Sequence, residues 1–104
     1  MNRIYYIYID DERQCNIDNA IVVRNYNDAI SVLQSISPIS TDIYIDLDHD
    51  LGEGKSGYDI AKWIVEEGYP LTGFHIHSMN PVGAFNIRQL LTRYGYKEAK
   101  LIWQ

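Results

Sequence analysis

Two runs rich in β-branched and aromatic residues, 4–9 and 42–48, each lead into a knot of acids: Asp10-Asp11-Glu12-Arg13 after the first, Asp48-His49-Asp50-Leu51-Gly52 after the second. The composition of the runs suits pleated, buried strands better than helices. In a parallel sheet, loops leave at the carboxyl ends of the strands, and side chains from separate strands converge in the crevice outside those ends. If the two runs are neighbouring central strands, their carboxylates meet in one acidic pocket.

The remaining pattern supplies such a sheet. Residues 10–19 are polar and carry no helical stripe, so they read as a loop, and residues 20–24 read as a short second strand. Asn25 and Asn27 offer cap and turn residues, after which Ala29, Ile30, Leu33 and Ile36 recur at helical spacing until Ser37-Pro38. The run at 42–48 puts Ile43, Ile45 and Leu47 on one face, with Tyr44 and Asp46 on the other. A loop with Gly52, Gly54 and Gly57 precedes an amphipathic helix over 58–67, closed by Gly68 in the manner of a left-handed C-terminal glycine. Residues 73–78 read as a fourth strand, 82–94 as a third helix capped by Gly95, and 99–103 as a fifth strand. Strands alternating with helices through short connections predict a single α/β domain over residues 1–104. Its mostly parallel five-stranded sheet has order 2-1-3-4-5 and is covered on both faces, giving a three-layer, flavodoxin-like architecture.

Composition narrows the function. A chain of 104 residues, 46% hydrophobic, supports one core that buries roughly 60–65% of the unfolded surface. No apolar stretch approaches the roughly 20 residues of a membrane span, and no signal-like segment opens the chain, so a soluble cytoplasmic protein is expected, with no membrane partner. Cys15 is the single cysteine and reads as a reduced loop thiol. A net charge of -5 argues against broad binding of duplex nucleic acid. A small phosphorylated ligand remains compatible through a cation bridge.

Asp10, Asp11 and Asp48 are hard oxygen donors from two strand ends, suited to Mg²⁺ or Mn²⁺ that keeps several waters. The plain alternative is a set of solvated loop acids, and their repetition at two strand ends favours the metal. His75 and His77 alternate along the fourth strand and face one side. There His75 reads as a hydrogen-bonded structural histidine, and His77, at the strand end, as a site residue. Asn80-Pro81 fits either a phosphate contact or a helix start, since proline suits the first helical position. Asn86 sits in a helix that asparagine mildly disfavours, which hints at a side-chain role. Asp46, inside its strand, reads as a buried, hydrogen-bonded group.

The acidic pair Asp10-Asp11, Asp48 after the third strand, the glycine-bearing loop and Ser78 after the fourth strand resemble the receiver domains of two-component response regulators. In that resemblance Asp48 falls at the phospho-acceptor and Ser78 at the phosphoryl-contacting hydroxyl. The chain departs from the receiver pattern at its end: Lys100-Leu101-Ile102-Trp103-Gln104 replaces the lysine-proline of a receiver's fifth strand, and the fold is expected to lack the final helix. A closer resemblance is to the receiver-like family named for cyclic-phosphate processing. It is carried by Asp10-Asp11-Glu12-Arg13, Leu47-Asp48-His49-Asp50-Leu51-Gly52, Ser56-Gly57-Tyr58-Asp59 and His77-Ser78-Met79-Asn80-Pro81 with Gly83 and Asn86-Ile87.

That resemblance implies metal-dependent hydrolysis of a cyclic phosphate on a nucleotide or RNA end. Asp11 and Asp48 would be metal ligands, and Asp10 and Asp50 ligands or water-positioners. His49 or His77 would carry the proton, an imidazole being suited by its near-neutral pKa. Ser78, Asn80 and Asn86 would donate hydrogen bonds to phosphate, and Arg13 a charge-assisted fork. The alternative is a non-enzymatic receiver-like regulatory or ligand-binding module, phosphorylated on Asp48. The Asp46-Leu47-Asp48 spacing also looks like that of haloacid-dehalogenase-type phosphohydrolases, but the chain is short for that fold and has Asp50 where threonine or valine is expected.

Overall fold

β1 (Arg3–Ile9) lies between β2 (Ile21–Val23) and β3 (Thr41–Leu47), and β4 (Gly73–Ile76) pairs with the far side of β3. All three pairings are parallel, with Ile9 opposite both Val23 and Leu47, and Leu47 opposite Ile76. The computed structural model describes residues 2–99. Among these the sheet has four strands in order β2-β1-β3-β4, rather than the expected five. The fifth strand expected at 99–103 falls, from residue 100 on, outside the described residues. What is described there is a single parallel bridge, Phe74 with Glu98, beside β4. It is held by the Phe74 amide on the Lys97 carbonyl at 2.9 Å and the Ala99 amide on the Phe74 carbonyl at 2.7 Å.

The three helices start and stop where local chemistry dictates. Asn25 caps α1 (Tyr26–Ser35) by accepting from the Asp28 amide. Ser56 and Asp59 form a reciprocal capping box at the start of α2 (Gly57–Glu67), and Gly68, at φ 60°, closes it. Asn80 caps α3 (Pro81–Arg93), with Pro81 in the first turn.

The two faces of the sheet differ. Ile7, Ile9, Ile43, Ile45, Leu47, Phe74 and Ile76 form one buried cluster with Ala29 and Leu33 of α1, Ile60, Ala61 and Ile64 of α2, and Ile87 and Leu91 of α3. All three described helices therefore pack on one face. Alternation sends Tyr6, Tyr8, Tyr44, Asp46 and His75 to the opposite face. There Tyr6 stacks on Tyr44 at 5.7 Å, and Tyr8 stacks on His77 at 4.5 Å. The three-layer expectation is corrected to two layers among the described residues. The crossover from β1 to β2 has no apolar stripe to bury, so it remains irregular and contributes no helix to the second face. No described helix is long and apolar enough to cross a membrane.

Candidate metal centre

The ends of β1, β3 and β4 come together as the strand order requires. Asp10, one residue past β1, is 1% exposed. One of its oxygens accepts from the amides of Glu12 and Arg13, both at 2.8 Å, so the carboxylate itself folds the loop around it. Its other oxygen lies 2.9 Å from His77 Nε2. Burial alone pushes the Asp10 carboxyl up, but the Arg13 and Glu12 amides and the His77 ring outweigh it, and its pKa is lowered.

Asp48, one residue past β3, is also buried. Its pKa is raised, first by burial and then by the charge of Asp10; the Asp50 amide, His77 and the Ser78 hydroxyl pull the other way without prevailing. Two buried carboxylates thus face one another, one held ionised and the other penalised for its charge. A divalent cation offsets that kind of repulsion.

The cavity they open into has a volume of about 370 Å³. Asp10, Asp11, Glu12, Asp48 and Asp50 line it, with Arg13, Gly52 and Met79 completing the wall. Oxygen donors from Asp10 and Asp48 and a nitrogen of His77 lie within 4.8 Å of one another. His77, however, has both ring nitrogens engaged: Nε2 faces Asp10, and Nδ1 lies 2.5 Å from Asp46. An imidazole hydrogen-bonded to carboxylates on both sides is a double donor. Burial would lower the His77 pKa, but Asp46 and then Asp10 outweigh it, and it is raised. The donor set left for a metal is carboxylate oxygen, which fits Mg²⁺ or Mn²⁺ better than a softer ion.

Several residues singled out from sequence lie outside the cavity wall. The His49 ring packs on the start of α3, where a Cβ added to Gly83 would come within 2.3 Å of its Cγ. Its Nδ1 lies 2.9 Å from Asp50 and 3.4 Å from the Asn80 side-chain nitrogen. Asn80 spends its oxygen on the Gly83 amide at 2.9 Å, so it is first of all the helix cap. Asn86 lines a separate groove between α2 and α3, with Tyr58, Gln89, Leu90 and Arg93. The Ser78 hydroxyl lies close enough to Asp48 to favour its charged form, and it accepts from the Asn80 amide at 3.1 Å. His75 bonds the Ala99 carbonyl at 3.3 Å, in keeping with a structural role.

Two further residues, which the sequence does not single out, contribute to the site. Asp46 is 3% exposed and orients His77. Its signal was the alternation of Tyr44, Asp46 and Asp48 beside that of His75 and His77, which puts acids and imidazoles on one face of adjacent strands. Arg24 donates to the carbonyls of Asp10, at 3.1 Å, and Arg13, at 2.7 Å, clamping the acidic loop from the end of β2. Nothing local to Arg24 in the sequence announces that contact.

Close approach explains Gly57. A Cβ there would sit 2.1 Å from the Asp48 carbonyl oxygen, while the Gly57 amide donates to the His49 carbonyl at 2.8 Å. Alanine ordinarily gains up to about 1 kcal/mol over glycine in a helix. At Gly57 the clash is with backbone and has no flexible side chain to yield, so Gly57→Ala is expected to lose about 1–3 kcal/mol instead. Urea denaturation reads the sign directly.

A parallel sheet in order β2-β1-β3-β4, with carboxylates from two strand ends in one crevice, fits a receiver-like domain. The chain matches the family described as cyclic-phosphate processing receiver domain over residues 5–93, and it belongs to that family. No curated protein and no solved structure matches it.

Proposed function

We propose that the protein hydrolyses a cyclic phosphate, on a nucleotide or an RNA end, with a divalent cation held at the ends of β1, β3 and β4. The observation that carries the reading is the juxtaposition of buried Asp10 and Asp48, with Asp11 and Asp50 in the same cavity wall, in a chain of this family. When bound, the cation neutralises charge developing on the phosphoryl oxygens. Asp11 and Asp48 hold it, while Asp10 and Asp50 complete the set or position the attacking water. In the reaction the water oxygen bonds to phosphorus, one P–O bond of the ring breaks, the water gives up a proton, and the released sugar oxygen takes one.

Of the two histidines, His49 is the proton carrier, acting from outside the cavity wall through its hydrogen bond to the cavity carboxylate Asp50. His77, with both nitrogens committed, instead fixes Asp10 in place. Arg13 stands beside the cavity as a cation for the phosphate, and Ser78 as a hydroxyl next to Asp48. Asn80 and Asn86 are not assigned contacts with the reacting phosphate.

The test is turnover of 2′,3′-cyclic and 3′,5′-cyclic nucleotides and cyclic oligonucleotides with Mg²⁺ or Mn²⁺, followed by phosphorus NMR. Ring opening with at least one is expected, and none with any would overturn the reading. A cation that binds the native state adds about 2.7 kcal/mol at a hundred times its dissociation constant. In a domain of this size that is a rise in Tm of roughly ten degrees or more. Thermal unfolding with and without Mg²⁺ checks it, and an unchanged Tm throughout the titration counts against the metal.

The contact of Ser78 with Asp48 favours a second reading, a receiver-like regulatory module phosphorylated on Asp48. Acetyl phosphate would then leave a hydroxylamine-sensitive adduct on Asp48. We expect no stable label.

A further inference from the structure

The exposed large apolar side chains are not spread evenly. Met79, Val82 and Phe85 are 82%, 68% and 54% exposed and follow one another at three-residue intervals. Val82 and Phe85 share a face of α3, since residues three apart on a helix are neighbours. Met79, just ahead of the cap residue Asn80, is itself part of the acidic cavity wall. An apolar strip therefore begins at the cavity and continues outward along the first turns of the helix. The first turn of α3 carries no acidic residue, unlike the cavity beside it.

The geometry points to a nucleobase shelf: Met79, Val82 and Phe85 receive the base of a single nucleoside cyclic phosphate whose phosphate lies among the acids. This rests on the function proposed above and narrows its substrate class to one base-bearing nucleotide. A ligand that reaches both regions must be anionic at one end and apolar, with a flat face, at the other. Aromatic side chains stack on any base because every base has a π-face, so Phe85 sets no sequence preference. From Val82 to Phe85 the helix rises about 4.5 Å, and Met79 precedes the helix, so the shelf has room for one ring system and not for a run of several. The net charge of -5 points the same way, because it repels the extended backbone of a longer strand.

The test is calorimetric titration, with Ca²⁺ in place of Mg²⁺ so that the ligand is not turned over, of adenosine 2′,3′-cyclic phosphate, base-free ribose 2,3-cyclic phosphate and a short oligonucleotide ending in the same cyclic phosphate. The proteins are wild type, V82S and F85S, both changes being at exposed positions. The adenosine compound is expected to bind about tenfold tighter than the base-free one. F85S should remove most of that difference and V82S part of it, with base-free affinity unchanged and the oligonucleotide no tighter than the mononucleotide. Equal binding of base-bearing and base-free ligands, or variants that weaken both alike, would overturn the shelf and leave the cyclic-phosphate function standing. A much tighter oligonucleotide would overturn the restriction to one nucleotide. Failure of every ligand to bind would bring down the proposed function and the shelf with it.

Discussion

Asp48→Asn is expected to abolish cyclic-phosphate turnover and the stabilisation by Mg²⁺, yet leave the metal-free protein at least as stable as wild type at neutral pH. The two effects have one cause. Asp48 is buried, with Asp10 as its charged neighbour, and its carboxyl is pushed above its ordinary value. A carboxyl whose folded pKa is raised works against folding once it ionises, at pH above its unfolded value, and is relieved as pH falls or as a cation arrives. Asparagine has the same shape and no charge, so it removes the penalty while keeping an oxygen that can accept from the Asp50 amide at 3.3 Å. It also removes a metal ligand. The pattern to seek is an equal or higher urea midpoint without Mg²⁺, a flat Tm across the Mg²⁺ titration, and no product by phosphorus NMR. A variant that unfolds would show Asp48 to be structural, and one that retains wild-type turnover would remove it from the reaction.

The order in which the strands lie was legible because patterning fixes it. Ile43, Ile45 and Leu47 must face a core, the helical stripes must cover that face, and short crossovers leave few topologies. The convergence of Asp10 and Asp48 follows from that order alone. What the pattern does not carry is side-chain direction beyond the strand ends. His49 looked like part of the acidic segment because it stands between Asp48 and Asp50, but its ring turns to the start of α3, into space that Gly83 leaves open. Asn86 is placed on the α2 side of α3 by the helical period, away from the acids. Asp46, a strand-interior acid, reads from the sequence as a group satisfied by a neighbour. It is satisfied, and its neighbour proves to be the histidine that holds Asp10. The second sheet face was expected to be covered by analogy with doubly wound sheets, although the polar segment at 10–19 offers no helix to cover it.

His77→Ala is expected to be the most destabilising change at the site, by about 3–5 kcal/mol at neutral pH, the usual cost of removing one partner from a buried ionic set. That is a large share of the roughly 5–15 kcal/mol that holds a domain of this kind together. The ring bridges two carboxylates, Asp10 and Asp46, that are 1% and 4% exposed at the side chain. Asp10 keeps its two amide donors after the substitution, whereas Asp46 loses the donor at its Oδ1. The pH dependence separates this from mere loss of packing against Tyr8. His77 is raised above its ordinary value, so its contribution is fully present below about 6.5 and is lost as pH rises through its folded pKa. Asp10 is lowered, so its contribution is present above its unfolded value and is lost as pH falls through its folded pKa. The gap between wild type and variant should therefore be widest between those limits and close on both sides, at acid pH as Asp10 protonates and at alkaline pH as His77 discharges. Urea midpoints across that range test it. A gap that does not change with pH would mean that the ring acts by filling space, leaving the Arg13 and Glu12 amides as what lowers the Asp10 pKa.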